Sequence, residues 1–172
     1  MKNFFLNNPI TSFLSVSIVI IFSLYFTNTI KSVPCETDLG SIFISNFIHT
    51  DFLHICSNLY GLYSLSRVEQ RIGSKKFFIL IIYLLIINTV FETILHKLIK
   101  TPCSIGFSGV LYGVLTFELF SNLKSIDITL VSAVVLNIII SKISSKNSSL
   151  SGHLIGALTG VIGGLLYYNL YK

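Results

Sequence analysis

Gly106-Phe107-Ser108-Gly109-Val110-Leu111-Tyr112-Gly113 opens an apolar segment that runs to Ser121, and Gly152-His153-Leu154-Ile155-Gly156 opens another near the end of the chain. Each places a reactive side chain, Ser108 or His153, where an apolar helix begins. A serine in a membrane helix is commonly interhelical hydrogen-bonding glue, whereas an intramembrane histidine is costly enough to mark a functional site. Together they form a nucleophile and a base. The neighbouring glycines govern how near the two helices can come: Gly109 and Gly113 are four apart, and Gly152, Gly156, Gly160 and Gly164 form a continuous i, i+4 stripe. Small-residue faces bring membrane helices into backbone contact. Packing is their common use, and here packing would also hold the serine against the histidine.

Outward from these segments the chain is apolar nearly throughout. Of its 172 residues, 52% are hydrophobic and only 11% charged, with a mean hydropathy of +0.80, too apolar for a soluble domain of this length. A spanning helix needs about 20 apolar residues. Candidates lie at roughly 10–30, 49–66, 77–95, 106–121, 126–141 and 150–170, which nearly exhausts the sequence. The expected fold is therefore an all-α membrane protein, a single six-transmembrane-helix domain over residues 1–172, with function residing in the bundle itself. The first run is longer than a signal-peptide core and has no small-x-small cleavage site, so it reads as a retained helix. The second candidate is the least apolar, with His49, Asp51, His54, Ser57, Asn58 and Ser64. The fourth is short, about 24 Å at 1.5 Å per residue against a hydrocarbon core of about 30 Å.

Charge gives the orientation. The chain carries a net +5 and a pI near 9.2, but its cations lie between apolar runs and form no aromatic-interleaved patch, so nucleic acid is not an expected partner. With the N-terminus inside, Lys2, Arg67, Arg71, Lys75, Lys76, Lys124 and Lys172 are cytoplasmic, and Lys31, Lys97, Lys100, Lys142 and Lys146 are external. The cluster from Arg67 to Lys76 decides for N-in, C-in. Cys35, Cys56 and Cys103 have no metal-ligand spacing and are odd in number, which argues against a disulfide framework or a zinc site; Cys35 and Cys103 both fall in outer loops and are able to pair.

In this topology the second, fourth and sixth helices all enter from outside, so His49, His54, Asn58, Ser108 and His153 share one layer. His54 and Asn58 are four apart, stacked on one helical face, and both can donate hydrogen bonds to a developing oxyanion. The Ser108 N–H, near a helix N-terminus, is a third donor. Taken alone, His54 and Asn58 would read as a buried interhelical pair.

These residues resemble the rhomboid intramembrane serine proteases. Four motifs carry the resemblance in order and spacing: His49-x4-His54-x3-Asn58, Glu69-x3-Gly73, Gly106-x-Ser108-Gly109-x2-Tyr112-Gly113 and Gly152-His153-x2-Gly156-x3-Gly160. The resemblance implies a rhomboid-like bundle and an endopeptidase that cleaves single-span or polytopic membrane-protein substrates in the lipid bilayer, using a Ser108–His153 dyad without a third acid, metal or cofactor. It also implies an oxyanion hole of His54, Asn58 and Ser108, with His49 in support and Tyr112 stacked on His153. Gly-Phe-Ser-Gly-Val-Leu and Gly-His-Leu are similar to the endoplasmic-reticulum branch of the family. Two features depart from the common pattern: there is no Trp-Arg pair in the first outer loop, and Phe107 is bulkier than the usual residue before the serine.

Among the remaining polar residues, Asp51 is expected to cap the second helix, Glu69 to join an ion-pair cluster with Arg67 and Arg71, Glu92 and Glu118 to act as interface-level or intrabundle hydrogen-bonding groups, and His96 to lie in a loop. Two other functions compete. An inactive rhomboid-like protein would bind transmembrane clients for quality control or trafficking, and the presence of both reactive residues argues against it. A transporter would show repeats or broken-helix pairs, and the sequence has neither.

Overall fold

In a computed structural model, residues 2–31, 38–100, 104–122 and 149–171, with Ser132, are described. Among them are seven helices: α1 (Lys2–Asn7), α2 (Pro9–Phe26), α3 (Leu39–Ser45), α4 (Phe52–Ile72), α5 (Ser74–Ile99), α6 (Ser108–Phe120) and α7 (Leu150–Leu170). Three of these, α2, α5 and α7, are long and apolar enough to cross a membrane, and α6 is a shorter apolar helix. The expected fifth span, 126–141, and Cys35 and Cys103 lie outside the described residues. Only 22% of the apolar window of α2 and 33% of that of α7 is buried within the protein, so these faces need lipid rather than water.

The helix α6 occupies the centre. Val110, Val114 and Phe117 share one core with Leu14 and Ile18 of α2, Leu62 and Val68 of α4, and Leu80 and Leu84 of α5. At 13 residues it spans about 20 Å, shorter still than its sequence indicates. Its closest partner is α7. A β-carbon on Gly156 would collide with the carbonyl of Gly109, and one on Gly160 with the carbonyl of Gly113. The two helices therefore run parallel in backbone contact, and Thr116 Oγ1 donates across the seam to Ala157 O at 2.8 Å.

Three expectations from sequence need correction. First, α4 does not begin at His49. Asp51 is its N-cap, accepting from His54 N at 2.8 Å, so His49 lies in the preceding loop; the capping carboxylate sets where the helix can start. Second, Glu69 does not belong to an ion-pair cluster with Arg67 and Arg71. It is 1% exposed and accepts from Ile10 N and Thr11 N, both at 2.9 Å, and from Thr11 Oγ1 at 2.7 Å. These are orphan donors of the first turn of α2, whose own N-cap, Asn8, makes no side-chain cap bond. A carboxylate at a helix N-terminus also opposes the macrodipole. Arg71 instead pairs with Glu118 at 2.5 Å and donates to Ser121 Oγ at 2.7 Å, fastening α4 to the end of α6. His96, expected in a loop, belongs to the last turn of α5. Gly73 turns α4 into α5 at φ 82°, a left-handed conformation that favours glycine.

Glu69→Ala strands three donors at once, two of them buried. Each unsatisfied donor costs about 1–3 kcal/mol, so the variant is expected to unfold in detergent at a clearly lower temperature than wild type, with Glu69→Gln in between. An unchanged melting curve would show that α2 is held by lipid and apolar packing alone.

Candidate active site

The segment entering α6 is held from the α3 side. Ser45, the last residue of α3, accepts from Gly106 N at 3.0 Å, and its hydroxyl lies 2.8 Å from both Ile42 O and Ser104 O. Gly106 has φ 96°, and a β-carbon there would come within 2.5 Å of His54 Nε2 and 3.5 Å of His49 Nε2. Conformation and space both require glycine. His49 is fully buried; its Nε2 receives the Phe107 N–H at a long 3.5 Å, and its ring meets that of His54 at 4.9 Å, tilted 60°. Phe107 itself is fully buried, with its ring 5.6 Å from Phe47. The residue that departs from the common pattern is thus part of the core, against the turn that follows α3.

At the first residue of α6, Ser108 Oγ lies 2.8 Å from His153 Nε2. His153 is 7% exposed. It sits in the first turn of α7, whose N-cap Ser149 accepts from Gly152 N at 3.2 Å. Tyr112, one turn below Ser108, places its ring 4.6 Å from the imidazole at 45°. No side chain caps the N-terminus of α6, so its first amides are open to an acceptor from outside the helix.

The expected site residues divide into two groups. Ser108, His153 and Tyr112 are in direct contact, and His49 and His54 meet at Gly106, two residues before the serine. Asn58 Nδ2 donates to His54 O of its own helix at 2.9 Å, which leaves one amide hydrogen for another acceptor. Gly109, Gly113, Gly156 and Gly160 form the α6–α7 seam. Sequence reasoning missed Ser45, Ser104 and Ser149. Ser149 could have been found as an N-cap serine three residues ahead of Gly152, whereas Ser45 and Ser104 are joined only by the fold.

The geometry can be set beside known proteins. The Rhomboid domain family matches residues 36–170, a stretch that contains every residue just described. The chain belongs to the rhomboid family. This rhomboid is also 28% identical over 125 residues to a protein of Acanthamoeba polyphaga mimivirus provisionally named a rhomboid protein, an alignment covering 71% of this chain and 70% of that one. Its apolar helices and its family make it an integral membrane protein.

Proposed function

We propose that this rhomboid is an intramembrane serine endopeptidase that hydrolyses peptide bonds within or near transmembrane segments of membrane-protein substrates. The 2.8 Å contact between Ser108 Oγ and His153 Nε2 carries the reading. Ser108 Oγ attacks the scissile carbonyl while His153 Nε2 takes its proton and passes it to the departing amine. A water then gives a proton to the same nitrogen and releases the acyl group from Ser108. Negative charge on the tetrahedral oxygen is met by His54, Asn58 and the Ser108 N–H. His49 supports the Gly106–Phe107 turn, and Tyr112 holds the imidazole in plane with the hydroxyl.

The test is coexpression of tagged single-span clients with wild type and Ser108→Ala. A client fragment that appears only with wild type supports protease activity; equal fragments from both would leave the fold as a client-binding one. The reading places the chain N-in, C-in, in a secretory-pathway membrane such as the endoplasmic reticulum. A C-terminal tag should accordingly be digested by protease added to intact microsomes, and a protected tag would reverse the orientation.

Asn58→Ala is expected to lower turnover by about 10²–10³-fold, the effect of losing one oxyanion donor, with little change in KM. Turnover per folded enzyme is the measurement that matters. If it is unchanged and only thermal stability falls, Asn58 is a packing residue bonded to His54 O.

A further inference from the structure

Glu92 is a carboxyl group in the C-terminal part of the apolar helix α5, and an ionisable residue at such a place calls for a partner and a purpose. Its partner is the hydroxyl of Ser104, which hydrogen-bonds it. Ser104 lies four residues before Ser108, and its carbonyl is within hydrogen-bonding distance of Ser45 Oγ on α3. The same pair of side chains closes on α7. A β-carbon on Gly152 would collide with Ser104 Oγ and come within 2.5 Å of Glu92 Oε1, so the carboxyl and hydroxyl lie directly against the residue preceding His153. One turn lower, Gly109 faces Gly152 O, 3.0 Å from the position of an added β-carbon. The residue following the serine and the residue preceding the histidine are thus in contact, and the Glu92–Ser104 pair abuts that junction.

We propose that Glu92 is a positioning residue: through Ser104 it clamps the segment entering α6 and the first turn of α7 to α5, and so fixes the separation between Ser108 and His153. Glu92 acts as a hydrogen-bond acceptor here, not as a third acid on the imidazole. A clamp at this point matters because an error of about 1 Å in the placement of reacting groups costs on the order of 10²-fold in rate. The inference rests on the protease reading.

The experiment needs no natural substrate. The full chain, purified in detergent, is treated with a fluorophosphonate probe, and the second-order rate of Ser108 labelling is measured beside the thermal unfolding of the same sample. Glu92→Ala and Ser104→Ala are each expected to slow labelling by about 10–100-fold per folded molecule. The double variant should be no slower than the slower single one, and Glu92→Gln, which keeps an acceptor, should label close to the wild-type rate. Wild-type labelling in Glu92→Ala and Ser104→Ala overturns the proposal, as does a labelling loss that merely follows the unfolded fraction. Glu92→Gln as slow as Glu92→Ala also overturns it, because charge rather than the hydrogen bond would then be at work. Where Glu92→Ala does not fold, Ser104→Ala and Glu92→Gln decide alone. An unlabelled wild type is a different failure, since it removes the protease reading itself.

Discussion

Ser108→Ala and His153→Ala are each expected to abolish peptide-bond hydrolysis while the protein still inserts and folds. The first removes one oxygen from a half-buried position at the start of α6, and the second removes a ring that meets the hydroxyl of Ser108 and the face of Tyr112. Neither change opens the α6–α7 seam, which is built from Gly109, Gly113, Gly156 and Gly160. The double variant is expected to be hardly worse than either single one, because nucleophile and base act as a unit and their losses do not add. Cleavage of a client by the purified, reconstituted proteins measures this, together with fluorophosphonate labelling of wild type and its absence in Ser108→Ala. Full turnover by purified Ser108→Ala would remove the serine from the chemistry.

The next largest effect is expected from a residue that takes no part in proton transfer. At Gly156 even the single carbon of alanine would collide with the carbonyl carbon and oxygen of Gly109, which are backbone atoms of a buried helix and cannot swing aside. Gly156→Ala should part α6 from α7, and Gly156→Val should do so further. Overpacking of this kind costs about 1–3 kcal/mol. Activity should fall more steeply than stability, because Ser108 adjoins the displaced Gly109 and must still reach His153. Gly163→Ala on the same helix is the control: its β-carbon would sit 3.1 Å from Tyr83 Cε1, a side chain that can yield. Labelling rates and melting temperatures of the three variants are the comparison, and a Gly156→Ala protein as active and as stable as Gly163→Ala would contradict the close seam.

Much of this arrangement was legible in the sequence because it is periodic. Glycines at four-residue spacing on two apolar segments predict a helix pair in contact, and the structure has α6 and α7 running together along that stripe. The cap at Asp51 was equally legible, since a carboxylate three residues ahead of a free amide is a local signal. What escaped was set by contacts across long sequence separations. Glu69 reads as one charge among neighbouring arginines, yet it serves the amides of Ile10 and Thr11, some sixty positions earlier. No local pattern marks that. The short helices α1 and α3 are below the length at which apolar periodicity is informative, and α3 matters because Ser45 anchors the approach to Ser108. The start of α4 was placed too early because His49, His54 and Asn58 read as one helical face, when His49 reaches the same layer from the loop.

The brevity of α6 has a bearing on how the protein is made. A segment of 13 residues falls well short of the about 20 apolar residues that span a bilayer, so it offers the insertion machinery little length of its own. Its closest companion, α7, is synthesised last among the described helices. A nascent chain halted before α7 therefore holds Ser108 without His153, in a helix without its main companion. Such a fragment lacks the Ser108–His153 contact, and the Gly109–Gly113 face of α6 has no α7 to cover it.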